Sequence, residues 1–142
     1  MSARNRALLA NRYQSDGMAM SSPQKLVVLM FERIEVDLGR AVDAIEGSRV
    51  EDAHRALINA QELVFELQLA LDVEAWPEGA QLQSIYDYLL GLLVDANLRK
   101  SAELVQQAVA LVAPLTESWA EAYRMVQTGE VSAEPTAVAA SS

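Results

Sequence analysis

The strongest constraint on this chain is the width of the apolar surface on its two middle helices. Between residues 50 and 71, Val50, Ala53, Leu57, Ala60, Val64, Leu67 and Leu71 recur at alternating three- and four-residue intervals. That spacing lines one side of an α-helix. Ile58, Phe65 and Leu69 fall on another side of the same helix. The next segment repeats the arrangement: Leu82, Ile85, Leu89, Leu92 and Ala96 form one stripe, while Tyr86, Leu90, Leu93 or Val94, and Asn97 form a second. One stripe serves the core of a small bundle. The second needs a cover.

Composition agrees with helices packed on helices. The chain is 51% apolar but only 6% aromatic, with Ala, Leu and Val dominant, a mixture suited to helix–helix contacts rather than a sheet core. Its 142 residues fit one domain that buries roughly two-thirds of its unfolded surface. A net charge of -9 argues against a nucleic-acid partner, whose phosphates it would repel. The absence of cysteine excludes disulfides and thiolate metal sites. Arginines outnumber lysines nine to two, a bias that the sequence alone does not explain. The apolar runs at residues 7–10 and 26–31 are too short for a signal peptide or a membrane span. A cytoplasmic location without membrane insertion is therefore expected.

Start and stop signals divide the chain into three parts. Residues 1–20 read as a polar arm holding a short helix through Ala7, Leu8, Leu9 and Tyr13, stopped by Gly17. A four-helix bundle over residues 21–127 follows. Ser22 is a suitable N-cap and Pro23 suits a first helical position. Val27, Met30, Ile34, Leu38, Ala41 and Ile45 give helix one its stripe, and Gly47 reads as its stop. Ser48 and Glu51 have capping-box spacing for helix two. Trp76-Pro77 blocks continuation, and Gly79 reads as loosening the connector before helix three. Ser101 can cap helix four, whose stripe is Val105, Ala108, Val112, Leu115, Trp119, Ala122 and Val126. Pro114 inside it predicts a bend without a break, since the apolar spacing stays in phase across it. Residues 128–142 are small and polar and read as a disordered tail. Short loops predict an antiparallel up-down-up-down all-α bundle.

Candidate chemistry is sparse. Glu51-x-x-His54 matches half of a di-metal carboxylate–histidine arrangement, but the chain has one histidine, and a capping Glu beside a surface His explains the pair. His54 on a bundle helix also permits a phosphotransfer reading, although Leu57 and Ile58 stand where such domains place a lysine and a glycine. No nucleophile–base pair or phosphate-cradling loop is present, so no enzyme and no cofactor are expected. Left uncovered, Ile58, Phe65, Leu69, Tyr86 and Leu90 would represent roughly 7–15 kcal/mol of unused burial, comparable to the stability of a whole domain. A patch of that size marks a binding surface, and an amphipathic segment laid in a groove is a common way to cover one.

The same residues carry a resemblance. Tyr13-Gln14, then Ser22-Pro23-x-Lys25-Leu26 with Met30 following, resembles the opening of the flagellar secretion chaperone family FliS. Ala60-Gln61, Glu66-Leu67 and Leu71-Asp72 are similar to that family's second helix. Tyr86-Asp87-Tyr88, Leu92 and Ala96-Asn97 resemble its third, and Trp119 its last. The chain departs from the family at the connector 73–79, which lacks a glycine pair, at Asn59 where lysine is common, and at Pro114. The resemblance implies a cytoplasmic chaperone that holds the disordered C-terminal segment of flagellin, prevents premature polymerisation and delivers the client to the flagellar export apparatus. Expected client contacts are Ile58, Phe65 and Leu69 on helix two and Tyr86, Leu90 and Asn97 on helix three, with Gln61, Tyr86 and Asn97 offering polar groups. Tyr13 on the arm is either a tether against the bundle or a pseudo-client covering the groove. The alternatives are the His54 phosphotransfer bundle and a structural bundle that self-associates, for instance as a homodimer.

Overall fold

The computed structural model describes residues 23–75 and 78–129. The expected arm with Tyr13, the Ser22 cap, the Trp76-Pro77 block and most of the tail lie outside the described residues. Four helices occupy the rest: α1 Pro23–Glu46, α2 Val50–Ala70, α3 Gly79–Arg99 and α4 Ala102–Gln127, with a 3-10 turn at Val73–Ala75 before α3. Among the described residues there is no strand. The main packing partners are α1 with α2, α1 with α4, α2 with α3 and, less extensively, α3 with α4. Because short turns join successive neighbours, the four run antiparallel around one core.

The core takes most of the stripes that the sequence assigns, but Val50, 59% exposed at the first turn of α2, and Ala122 on α4 lie outside it. Val27, Phe31, Ile34, Leu38 and Ala41 of α1 are fully buried, as are Leu57, Ala60, Val64 and Leu67 of α2. Leu89 and Leu93 of α3, together with Val105, Ala108 and Val112 of α4, complete the centre. The Phe31 and Tyr86 rings meet at 6.4 Å, tilted by 43°. At one end of the bundle the Lys25 ammonium lies 5.4 Å from the Tyr123 ring centre, which ties the start of α1 to the last turns of α4. Pro114 stays exposed within a continuous α4.

The helix ends correct two expectations. Ser48 does not cap α2. It adopts the left-handed conformation at φ 59° and ends α1: its N–H donates to the Ile45 carbonyl at 3.1 Å, and the Arg49 N–H donates to that of Ala44 at 2.7 Å. That pair of bonds is a Schellman motif with Ser48 in the place usually held by glycine. A backbone committed to closing α1 cannot also take the extended conformation of an N-cap, so Arg49 precedes α2 with no side-chain cap. Gly79 does not loosen its connector. It is buried at the start of α3, and a Cβ there would collide with the backbone of Val73. The glycine is required by close approach. Ser101 caps as expected, its Oγ accepting from the Leu104 N–H at 3.2 Å.

Candidate partner-binding seam

Helix α2 meets α3 along a seam stitched by polar side chains at seven-residue intervals. The Gln68 amide donates to Asp87 Oδ1 at 2.6 Å, and Gln61 makes a long bond of 3.5 Å to the Leu93 carbonyl. About two turns further toward the start of α2, the Asn97 amide lies 3.0 Å from His54 Nδ1. Partner numbers fall as α2 numbers rise, so the pair is antiparallel. Positions 54, 61 and 68 lie on one line of the helix because seven residues make almost two full turns.

The tie at His54 has a defined proton arrangement. Lys100 Nζ donates to Asn97 Oδ1 at 2.8 Å and to the Asn97 carbonyl at 2.6 Å. A lysine only donates, so Oδ1 accepts, and the Asn97 NH2 is left to donate to His54 Nδ1. Lys100 is itself the left-handed residue that ends α3, at φ 49°. With Asn97 only 8% exposed, its side chain is engaged by α2 and by the end of its own helix.

Outside these ties the seam is apolar. Ile58, Phe65 and Leu69 share the outward edge of α2 on the α3 side, Ile58 four residues after His54, and Phe65 and Leu69 four and eight residues after Gln61; Phe65 is 46% exposed, while Ile58 and Leu69 are half-buried. Across the seam Leu90, Val94 and Leu98 recur every four residues on α3, and Leu98 is 80% exposed. A surface cavity of about 590 Å3 is lined by Gln68, Asp87, Leu90, Gly91, Val94 and Leu98, with Asp95 at its border. Gly91 contributes open space, since a Cβ there would meet nothing within 4 Å. Val50, also exposed, continues the line one turn before His54.

Two members of the second stripe belong elsewhere. Tyr86 is 0% exposed and packs beside Phe31 in the core. The physical reason is phase: Tyr86 and Leu93 are seven residues apart on one line of α3, and that line faces inward between α1 and α2. Burial pushes the Tyr86 hydroxyl well above its usual range, and no hydrogen-bond partner meets it among the described residues. Leu63 and Leu93 likewise fall in the core, whereas Val94 is exposed. Leu98, Gln68, Asp87 and Gly91 escaped the sequence reading, although the four-residue spacing of 90, 94 and 98 would have found Leu98.

Catalytic and metal readings find little here. Among the described residues no group of three or more His, Asp or Glu side chains converges to hold a metal ion, and Glu51 and His54 are both exposed on the first turns of α2. No helix among them is long and apolar enough to cross a membrane.

A helical bundle with an uncovered apolar seam could serve many binding tasks, and comparison with known proteins narrows them. The family described as flagellar protein FliS matches residues 5–126. This chain belongs to the FliS family. It is similar to the flagellar secretion chaperone FliS of Salmonella typhimurium strain LT2, at 31% identity over 101 residues that cover 70% of this chain and 75% of that protein. The Bacillus subtilis strain 168 relative of the same name is 25% identical over 112 residues, covering 78% of this chain and 82% of its own length. The Campylobacter jejuni relative is 28% identical over 117 residues, with coverages of 82% and 91%. FliS is a family of secretion chaperones rather than of enzymes, and the matched span includes every described helix except the last residue of α4.

Proposed function

We propose that this chain is a flagellar export chaperone that takes the C-terminal segment of flagellin into the α2–α3 seam, blocks premature polymerisation and delivers the client to the flagellar export apparatus in the cytoplasm. One observation carries the reading. A member of a secretion-chaperone family leaves Phe65 exposed on α2, and Val94 and Leu98 exposed on α3 where they line a cavity of about 590 Å3. An amphipathic client segment would cover that surface with apolar side chains at three- and four-residue spacing. Its affinity would come from apolar burial, less the several kcal/mol needed to order a disordered chain. Ile58, Phe65, Leu69 and Leu90 are the proposed apolar contacts and Gln61 the polar one, while Asn97, engaged by His54 and Lys100, holds the seam together. Tyr86 supports the seam from beneath.

For the arm residue Tyr13 two roles are proposed, a tether to the bundle or a cover for the seam in the free protein, and the second is put to the test. Deleting residues 1–18 is then expected to tighten client binding in calorimetry, and unchanged or weaker binding would assign the arm to tethering. The reading as a whole is tested by pull-down with flagellin that retains or lacks its C-terminal segment. Capture of the intact client alone supports it, and equal capture of both refutes it. No observation here favours the His54 phosphotransfer alternative.

A further inference from the structure

The opposite side of α2 carries a second surface, and it accounts for part of the arginine bias. Arg33 and Arg40 bracket Asp37 on α1, at 3.5 and 3.9 Å. Arg49 and Arg55 bracket Asp52 on α2, both at 3.5 Å. These residues face one another across the α1–α2 groove. A cavity of about 250 Å3 there is lined by Asp37, Arg40, Ala44, Arg49, Asp52, Arg55, Ala56 and Asn59. Three arginines and two aspartates line the cavity, and Arg33 pairs with Asp37 without lining it. The groove is locally positive on a chain whose net charge is -9. The other acidic groups nearby, Asp43, Glu46 and Glu51, are exposed and do not line the cavity.

The arginines have donors to spare. Asp37 is 1% exposed, whereas the side chains of Arg40, Arg49 and Arg55 keep 61%, 55% and 71% of their surface. A guanidinium carries five N–H donors in a planar fork. One carboxylate oxygen at 3.5 Å or beyond leaves most of those donors facing the solvent. The small side chains of Ala44 and Ala56 form the floor, so the arginines stand above the groove as a rim. Arginine forks match carboxylates in two-bond geometry, which a lysine does not do.

We infer that the α1–α2 groove is a docking site for an acidic peptide segment of a partner protein, separate from the client seam on the far side of α2. Charge complementarity selects the occupant. Nucleic acid and anionic lipid surfaces extend beyond the groove over the acidic remainder of the chain, whereas a short run of Asp or Glu residues stays close to Arg40, Arg49 and Arg55, with the more distant carboxylates screened by salt. The two grooves lie on opposite flanks of one helix, so both can be filled at once. The inference does not depend on what fills the seam.

The test is a nitrogen-15 NMR titration of the full chain with an octaglutamate peptide. At low salt the amide shifts are expected to cluster at Arg40, Arg49, Arg55 and Asn59, and binding should weaken steadily as salt screens the contact. The Arg49→Gln/Arg55→Gln variant should bind at least about tenfold more weakly. These two arginines pair only with the exposed Asp52, so the variant leaves the buried Asp37 balanced and should keep its helical circular dichroism. Arg55→Gln alone, on the exposed face of α2, gives a milder second variant with the same direction of effect. Phe65→Asp should bind octaglutamate normally, which separates this groove from the seam. Absence of shifts at low salt, shifts centred on α3 or α4, or undiminished binding by the double variant would overturn the assignment.

Discussion

Helix α2 has two flanks that solve the same packing problem with different chemistry. Toward α1 the contact closes over Ala44 and Ala56, and the rim is made of arginines shared between Asp37 and Asp52. Toward α3 the contact is tied by neutral amides at Gln61 and Gln68 and by the His54–Asn97 pair, and large apolar side chains stand outside the ties. A charged rim keeps its water and costs little when left bare, because exposed ion pairs contribute only about 0–1 kcal/mol. An exposed Phe, Val and Leu cluster gains free energy only when covered. On that difference rests the proposal that an apolar partner takes the α3 flank.

The most severe way to break that contrast is to charge the apolar flank. Phe65→Asp is expected to weaken binding of flagellin's C-terminal peptide by at least about 100-fold, or ~2.7 kcal/mol, measured by calorimetry with helical circular dichroism intact. Loss of the fold would place Phe65 in the core and erase the distinction between flanks.

The polar ties give the next largest effect. Asn97→Ala removes the donor to His54 and the Oδ1 acceptor for Lys100, and should lower unfolding free energy by about 1–2 kcal/mol in urea denaturation. No loss would mean that the seam is held by apolar contact alone.

Tyr86 sharpens the boundary between seam and core. Tyr86→Phe removes a buried hydroxyl that has no partner among the described residues and should stabilise the protein by about 1 kcal/mol. The effect also has a pH signature. Burial raises the folded-state pKa of this phenol, so above about pH 10 the unfolded chain ionises while the folded one stays protonated. Stability present below that pH is lost as it rises, and the wild type should lose more than Tyr86→Phe. Parallel alkaline unfolding of the two proteins would contradict the buried placement.

The smallest effect belongs to the charged flank. Arg49→Gln/Arg55→Gln should change stability by no more than about 0.5 kcal/mol, since both partners are exposed. A larger loss would give the arginine rim a structural role.

The outlines of this contrast were legible in the sequence, and its details were not. Periodicity placed all four helices and the primary stripes, because burial of one face dominates helix phase. It also flagged Ile58, Phe65 and Leu90, since no single neighbour could cover so wide an arc. It misplaced Tyr86, because residues at the edge of a stripe go inward or outward according to where the adjacent helices sit, and that is a tertiary property. Asn97 was expected to be open to a partner but is mostly buried against His54 and Lys100, a contact between residues 43 positions apart. Ser48 was misread for a local reason: one residue stood between two helices with competing backbone needs, and closure of α1 took it. The arginine flank shows in sequence only as local three- and four-residue Arg–Asp spacings within each helix. Its four arginines come from two helices and gather only when those helices pack.

The central claim is that the apolar flank, and not the charged one, receives the client. Hydrogen–deuterium exchange of the full chain, with and without flagellin's C-terminal segment, reads this directly. The account expects new protection along residues 58–69 of α2 and 87–98 of α3, with little change in α1. Protection centred on α1 and α4, with the α2–α3 seam exchanging as before, would contradict it.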